Sequence, residues 1–331
     1  KLIENSLPSI NLDDYEILSL FLSLSNGCSF KAIEKHTNKE VLIYSFINID
    51  VISDFKILYQ YKIASTLDHC GIIKVIGFRY PLNEEEKKKA KLLEVQFKNT
   101  RGHNIPYDLT GYIIVFEFDQ FLEIDSILTE YLKTDGAKNE RMNPTIRSKI
   151  IFGVASIMKY VHQKRIIHNE LKIDNIFIDK NCEPKYSFME DNWYYYTNYE
   201  CIAYGLPFYY GPETFMDSDE PYSFHVDVLS YAMILYKMFT NSVKFDDKKP
   251  IRSTQYLMMK IGRGHRPVRP DHIPDSYWEL IQRCWKQEPQ DRPTFEEIVE
   301  ELKYDKYAIE EYGMKTNLDE LHEYQKRIDS Y

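Results

Sequence analysis

The hydrophobic pattern of this 331-residue chain changes its period near residue 120. Before that point, VLIYSFINI (41–49) and GYIIVFEF (111–118) are dense in β-branched and aromatic residues, which is typical of buried strands. Between them, residues 54–67 carry apolar side chains near helical spacing. We therefore expect the first third to form a small sheet that carries one helix.

From residue 120 onward the apolar spacing is helical. The stretch 143–163 begins with Asn143 as a helix cap and Pro144 at the first helical position, and an apolar stripe follows. Two further helices are expected near 227–239 and 294–302. The second part of the chain is therefore predicted to be mainly helical.

Two segments stand apart from this pattern. EEEKKKAK opens the interval 83–110, and its Glu and Lys pairs support a solvated helix start. We interpret this interval as a surface insertion, with disorder as the competing interpretation.

At the end of the chain, Asn317 with Glu320 resembles a capping box, and an apolar seam (Leu321, Tyr324 and Ile328) predicts a terminal helix docked on the body.

Composition restricts the class of partner and the compartment. A formal charge of −9 argues against general binding to nucleic acid, which depends on clustered Lys and Arg. The five cysteines are scattered and form no C-x-x-C pair, which favours a reducing, cytoplasmic setting. No run of 18 apolar residues is present, so we expect no membrane insertion. The first residue is Lys1 rather than Met, which is compatible with a fragment of a longer chain.

Four motifs occur in an order that is informative as a set. IIHNELKIDNIFID (166–179) has the form of a catalytic loop with its following strand, and GLPFYYGPE (205–213) that of the end of an activation segment. DVLSYA (227–232) matches the start of a central buried helix, and RCWKQEPQDRPTFEEI (283–298) matches a closing signature. Together they resemble the eukaryotic protein kinase superfamily, and the last motif is similar to its tyrosine-kinase-like group.

The resemblance implies an α+β, bilobal protein-kinase fold. Residues 1–118 would form a β-rich N-lobe with one main helix and the insertion at about 83–110. Residues 119–303 would form a mostly α-helical C-lobe, and 304–331 a C-terminal helical tail.

Some matching residues imply a folding role. Glu213 and Arg292 resemble the ion pair that fastens the activation segment to the C-lobe. Asp227 resembles the carboxylate that ties the catalytic loop to the central helix, and His168 stands where the family has a packed imidazole. These residues predict the fold and carry no information about turnover.

The catalytic loop itself departs from the family pattern H-R-D-L-K-x-x-N. Asn169 and Glu170 stand at the Arg and Asp positions, while Lys172 and Asn175 match. Glutamate keeps a carboxylate but is one methylene longer, and a displacement of about 1 Å at a reacting centre can reduce a rate on the order of a hundredfold. We therefore interpret the loop as degenerate.

The nucleotide site that the resemblance implies is also degenerate. Of the glycine-rich loop over the phosphates only Gly27 remains, because Leu22 and Leu24 replace the other two glycines. Tyr44 stands at the third-strand lysine position and Gln60 at the helix position of its glutamate partner. A phenol cannot supply the ammonium charge that binds the α- and β-phosphates, so this pair is predicted to be structural.

Three substitutions are expected to narrow the adenine slot or line it. Leu42 replaces the usual small alanine, Ser29 stands at the usual valine, and Phe116 occupies the gatekeeper position. Glu117 and Phe118 follow in the hinge, which offers the remaining adenine contacts.

At the metal-binding D-F-G position the aligned residues are Phe188, Met189 and Glu190. Mg²⁺ requires oxygen ligands, and phenylalanine supplies none, so no metal site is expected. A slip in register would bring Glu190 or Asp191 forward as a carboxylate, with Asn175 as a second ligand.

These departures together identify the chain as a degenerate member of the superfamily, a pseudokinase that acts as a scaffold, binding or allosteric module and needs no cofactor. We expect protein partners, either an active kinase or a client. Contact surfaces would be 83–110, the aromatic segment 191–200 and the C-terminal helix. One alternative is an active serine/threonine-type kinase that uses ATP with Mg, Glu170, and Glu190 or Asp191; another is ATP binding without transfer.

Overall fold

The computed structural model describes residues 8–23, 27–46, 61, 63–81, 94–98, 104–109, 111–119, 121–134, 141–168, 171–187, 207–214, 223–240, 243–245 and 253–331. The chain divides into a β-rich unit and a helical unit. The β-rich unit contains residues up to 68 and 73–120. The helical unit contains 69–72, 121–187 and the C-terminal part of the chain.

The β-rich unit is built on a five-stranded antiparallel sheet and a separate hairpin. Its strands are Tyr15–Ser23 (β1), Gly27–Glu34 (β2), Lys39–Phe46 (β3), Val75–Arg79 (β4), Glu94–Lys98 (β5), Asn104–Asp108 (β6) and Tyr112–Glu117 (β7). The strand order in the sheet is β1-β2-β3-β7-β4, and β5 pairs with β6 in the hairpin.

One face of this sheet is covered by the unit's hydrophobic core. Phe30 of β2, Val41 and Ile43 of β3, and Ile113 and Val115 of β7 are buried there. Strand β7 lies between two neighbours and is buried from Tyr112 to Phe116, which explains its continuous apolar run. Because strand side chains alternate, the intervening residues of β2, β3 and β7 lie on the opposite face.

The helical unit contains most of the described helices, a small sheet and a C-terminal hairpin. Its elements are Leu122–Glu123 (β8), Ile124–Lys133 (α1), Pro144–Gln163 (α2), Ile176–Ile178 (β9), Pro184–Tyr186 (β10), His225–Phe239 (α3), Thr254–Gly262 (α4), Asp275–Cys284 (α5), Phe295–Glu301 (α6), Glu310–Glu311 (β11), Met314–Lys315 (β12) and Leu318–Ile328 (α7). The small sheet has the order β10-β9-β8, and β11 and β12 form the hairpin.

Helix α2 begins as its sequence predicts. The Asn143 side chain accepts a hydrogen bond from the amide of Ile146 at 2.9 Å, and Pro144 occupies the first helical position. The helix is buried on nearly all sides, as is α3. These two helices form the centre of the helical unit.

The predicted α+β fold, with a β-rich first lobe and a helical second lobe, is confirmed. The expected strands near 41–49 and 111–118 correspond to β3 and β7. Residues 63–65 are helical, as expected for that stretch. Within the described residues, no helix combines the length and the apolar character needed to cross a bilayer.

The interval 83–110 differs in part from expectation. Its described residues form the β5–β6 hairpin, which the sequence pattern did not predict. The charged run EEEKKKAK (84–91) lies outside the described residues.

Candidate functional site

The face of the sheet opposite the core carries the residues that the resemblance assigns to the nucleotide. Leu42 and Tyr44 alternate along β3 and therefore share this face. Leu42 lies opposite Lys31 of β2 and Phe116 of β7, while Tyr44 lies opposite Ser29 and Ile114. Directly opposed residues of neighbouring strands point to the same side. We call this set of six residues the Tyr44 face.

The Tyr44 face is closely packed. Tyr44 and Phe116 are 0% exposed, Leu42 is 2% exposed and Ser29 is 1% exposed. The Phe116 ring also contacts the ring of Tyr61, with 5.8 Å between centroids and an edge-on arrangement. At the position where the resemblance calls for an ammonium group, the structure has a buried phenol. This part of the face is therefore held together by hydrophobic packing.

Lys31 places a cation at the hinge end of the same face. The rings of Phe21 and Phe118 meet edge to face at 5.5 Å, and the Lys31 ammonium lies 4.9 Å from the Phe118 centroid and 5.3 Å from that of Phe21. Phe118 is buried in this arrangement. The ammonium thus stabilises an aromatic pair by about 0.5–1 kcal/mol per contact.

Glu117, the first residue of the predicted hinge, is hydrogen-bonded to Lys74 at the start of β4. Its backbone amide donates to the carbonyl of Lys74 at 2.9 Å, and its carboxylate accepts from the Lys74 amide at 3.1 Å. Both polar groups are therefore engaged in linking β7 to the start of β4.

The loop that precedes β9 carries Lys172 and Asn175, which the sequence predicts to match the family's catalytic-loop pattern. Ile173–Asn175 form a turn of 3-10 helix, and buried Leu171 and Ile173 anchor it. Lys172 is half-buried and Asn175 is buried. The Asn175 carbonyl accepts from the Ser187 amide at 2.9 Å, and its side-chain Nδ2 makes no hydrogen bond to the described residues.

Asp227 connects this loop to the helical core. One carboxylate oxygen, Oδ2, accepts from the His168 amide at 2.8 Å and lies 2.8 Å from Nε2 of His162. Asp227 is fully buried. Burial lowers the pKa of His168 to about 4, so its imidazole is neutral, and its ring packs edge-on against Tyr186 at 4.8 Å. The carboxylate therefore joins α2, the loop and α3.

Arg292 and Glu213 form a bidentate ion pair, with Nη1 to Oε1 at 2.5 Å and Nη2 to Oε2 at 2.9 Å. The other donors of the buried guanidinium reach backbone carbonyls of Lys286, His225 and Gln287 at 2.9, 2.9 and 3.2 Å. All five N–H groups are thus paired, which lysine could not reproduce. This contact fixes the end of the 207–214 segment.

Several residues of the predicted site lie outside the described residues. They are Gln60, Asn169, Glu170, Phe188, Met189, Glu190 and Asp191. Gly27 is described as the first residue of β2, opposite Phe46. The roles of the undescribed residues remain predictions.

Sequence reasoning missed two features of the site. The contact of Lys31 with Phe21 and Phe118 has only a weak signal in the sequence. Ser29 and Lys31 are two residues apart in β2, as are Leu42 and Tyr44 in β3, so each pair lies on one face of its strand. The link between Glu117 and Lys74 has none, because it depends on the register of two strands far apart in the chain.

Comparisons with known proteins identify the family of the chain. The family model described as protein tyrosine and serine/threonine kinase matches residues 98–302. An RGS domain-containing serine/threonine-protein kinase of Dictyostelium discoideum is 31% identical over 52% of this chain, and a serine/threonine-protein kinase of Arabidopsis thaliana is 30% identical over 46%. A probable inactive serine/threonine-protein kinase of Dictyostelium discoideum is 29% identical over 44%.

The chain covers 15%, 26% and 7% of the lengths of these three relatives, in the same order. The match to the family model spans both the loop at 166–179 and the closing signature at 283–298. The chain therefore belongs to the protein kinase family.

Proposed function

We propose that this kinase-fold domain is a pseudokinase, which binds and regulates protein partners without transferring phosphate. The observation that carries the proposal is Tyr44, a fully buried phenol at the third-strand position that the family gives to lysine. Phosphoryl transfer depends on positioning and on positive charge at the phosphates. A phenol on a packed face supplies no such charge.

ATP with Mg is the nucleotide that the family implies, and the Tyr44 face does not fit its triphosphate. The face presents apolar or phenolic side chains at Leu42, Tyr44 and Phe116. The ammonium of Lys31 makes cation–π contacts with two aromatic rings. Lys172 and Asn175 match the family pattern, but neither replaces the phosphate-binding cation that the family places on β3.

We also propose a kinase group and a kind of partner for this domain. The closing signature at 283–298 supports a place in the tyrosine-kinase-like group. Intact scaffold contacts beside a packed Tyr44 face support a role for surfaces, with 83–110 and 191–200 as candidate contact segments for an active kinase or a client protein. We assign this role to the cytoplasm, as the scattered cysteines favour.

Thermal unfolding with ATP and Mg²⁺ or Mn²⁺ tests the proposal directly. A ligand that binds the folded state raises the melting temperature in a concentration-dependent way. We expect no shift, and we expect no label transfer from ATP that depends on Glu170. The matched variant is Glu170→Ala. A dose-dependent shift together with transfer that this variant abolishes would refute the pseudokinase assignment.

The retained Lys172 and Asn175 favour one competing candidate, a divergent kinase with Glu170 as base and Glu190 or Asp191 on the metal. Asn175 is buried, and its Nδ2 makes no hydrogen bond to the part of the chain that the structure describes. This candidate requires both a thermal shift and transfer. A shift without transfer would instead identify a nucleotide-binding module.

A further inference from the structure

The last 28 residues of the chain, 304–331, lie beyond the family match, which ends at residue 302. We call them the C-terminal segment. They nevertheless contribute to the interior of the helical unit: Tyr307, Ile309, Leu321, Tyr324 and Ile328 are each no more than 5% exposed. The packed body of the domain therefore extends past the family boundary.

The first part of the C-terminal segment neutralises a buried charge. Arg147 of α2 is fully buried, and its guanidinium pairs with the Glu311 carboxylate of β11. The Tyr131 hydroxyl donates to the same carboxylate at 2.8 Å. Thr316, which follows β12, lies 3.0 Å from the Ser148 hydroxyl. Because an unpaired buried guanidinium is costly, this part of the segment is firmly held.

The second part, helix α7, packs along α2. Gly153 makes the close approach possible, because a Cβ at that position would lie 2.3 Å from the Tyr324 hydroxyl. Lys149 and Lys159 of α2 form ion pairs with Glu320 and Asp329 respectively. The Lys149–Glu320 pair is partly exposed and contributes little, whereas the Lys159–Asp329 pair is mostly buried.

The end of the segment reaches a short connection at residues 69–72. The chain on both sides of this connection belongs to the β-rich unit, whereas 69–72 packs in the helical unit. The His69 ring lies between Tyr160 of α2 and Tyr331, with ring centroids 5.1 and 5.0 Å away. Tyr331 is therefore in direct contact with the connection.

The same connection is hydrogen-bonded to β10. The carbonyl of Gly71 accepts from the Tyr186 amide at 2.7 Å, and the Lys185 ammonium donates to the carbonyl of Cys70 at 2.6 Å. Within the connection, the Gly71 amide donates to Nδ1 of His69 at 3.0 Å. The orientation of the His69 ring thus couples Tyr331 to the backbone of the connection.

We propose that the C-terminal segment is a strap that locks the 69–72 connection onto α2 and β10, and that release of its end loosens the connection. The segment is held more firmly at its hairpin than at Tyr331. Its hairpin is fixed by the buried Arg147 contact, whereas its last residue, Tyr331, is 52% exposed. Residues held by few buried contacts open before residues held by many. Release therefore starts at Tyr331 and leaves the hairpin docked.

Hydrogen exchange on the whole 331-residue chain tests the strap. In Tyr331→Ala we expect the amides of Gly71, Ile72 and Tyr186 to exchange about tenfold faster, because one of the two ring contacts that hold His69 is lost. Amides of α5 should keep their protection. The control is Glu323→Gln on the exposed side of α7, which should change none of them. No nucleotide is needed, so the outcome is independent of the pseudokinase proposal.

A second variant ends the chain after residue 317 and removes α7. If it folds, its connection should exchange faster than in Tyr331→Ala; if it does not fold, Tyr331→Ala alone decides. Unchanged exchange at Gly71 and Tyr186 in Tyr331→Ala would overturn the proposal. So would a uniform increase that includes α5, since that result indicates general destabilisation.

Discussion

At the scale of single residues, the Asp227 carboxylate joins three parts of the helical unit. One oxygen serves both the His168 amide and the ring of His162, and the residue is fully buried. The sequence assigns Asp227 to the position that ties the catalytic loop to the central helix in this family, and that assignment remains a prediction.

We predict that Asp227→Ala lowers the free energy of unfolding by about 3 kcal/mol, because it leaves a buried amide of His168 without an acceptor. Asp227→Asn keeps an acceptor oxygen and should cost less. Urea unfolding followed by tryptophan fluorescence measures both. Equal stability of Asp227→Ala and the parent chain would contradict the role assigned to this carboxylate.

At the scale of elements, the β11–β12 hairpin provides a matched pair of acidic residues on one two-residue strand. Glu311 pairs with buried Arg147, whereas neighbouring Glu310 pairs with Lys315 at 2.9 Å on the surface, where both side chains are more than 60% exposed. The two residues have the same chemistry and differ in burial.

We predict that Glu311→Gln costs about 3 kcal/mol, since the Arg147 charge stays buried without a counter-charge. Glu310→Gln should change stability by less than about 0.5 kcal/mol. The midpoint of urea unfolding at low and at moderate salt measures the difference. Similar losses in the two variants would show that the hairpin is held by its backbone and not by the Arg147 ion pair.

The elements also show which features the sequence can predict. Helix α2 carries its own start signal in Asn143 and Pro144, so local chemistry was enough to predict it. The hairpin has only the turn at Tyr312 and Gly313, both with positive φ, as a local signal. The burial of Glu311 depends on Arg147, which lies 164 residues earlier in the chain. Contacts of that kind appear only once the fold is known.

The sequence predicts some residues of the candidate site better than others. The order and spacing of the motifs were enough to predict the protein kinase fold, whereas the assignment of Tyr44, Asp227 and Arg292 to positions in the family pattern remains a prediction. Their neighbours, such as Lys31 at the hinge, depend on strand register, which composition does not determine. Glu170 and Phe188 lie outside the described residues, so their roles rest on the sequence alone.

At the scale of the whole molecule, two buried imidazoles should control stability in acid. Burial lowers the pKa of His69 to about 4, with the ammonium groups of Lys185 and Lys159 acting in the same direction, and burial also lowers the pKa of His168 to about 4. In the unfolded chain both would titrate near pH 6.5. Between pH 6.5 and 4 the unfolded state therefore binds more protons than the folded state.

We predict that the free energy of unfolding is highest above pH 6.5 and falls as the pH is lowered toward 4, by on the order of 2–3 kcal/mol for each histidine. His69→Asn keeps an acceptor for the Gly71 amide and should flatten the slope. The exposed His265→Asn is the control and should leave it unchanged. Urea unfolding from pH 7.5 to 4.5 gives the slopes, and a flat profile in the parent chain would contradict the prediction.

The fully paired guanidinium of Arg292 predicts where inherited loss-of-function substitutions should occur. A protein that works through its surfaces must persist in the cell in sufficient amount, and unfolded copies are removed by proteolysis. On the proposed function, inherited substitutions that abolish its role should therefore concentrate at the anchor formed by buried Arg292 and its partner Glu213, and they should act by lowering abundance. Substitutions at the positions where an active enzyme would be most sensitive should be tolerated.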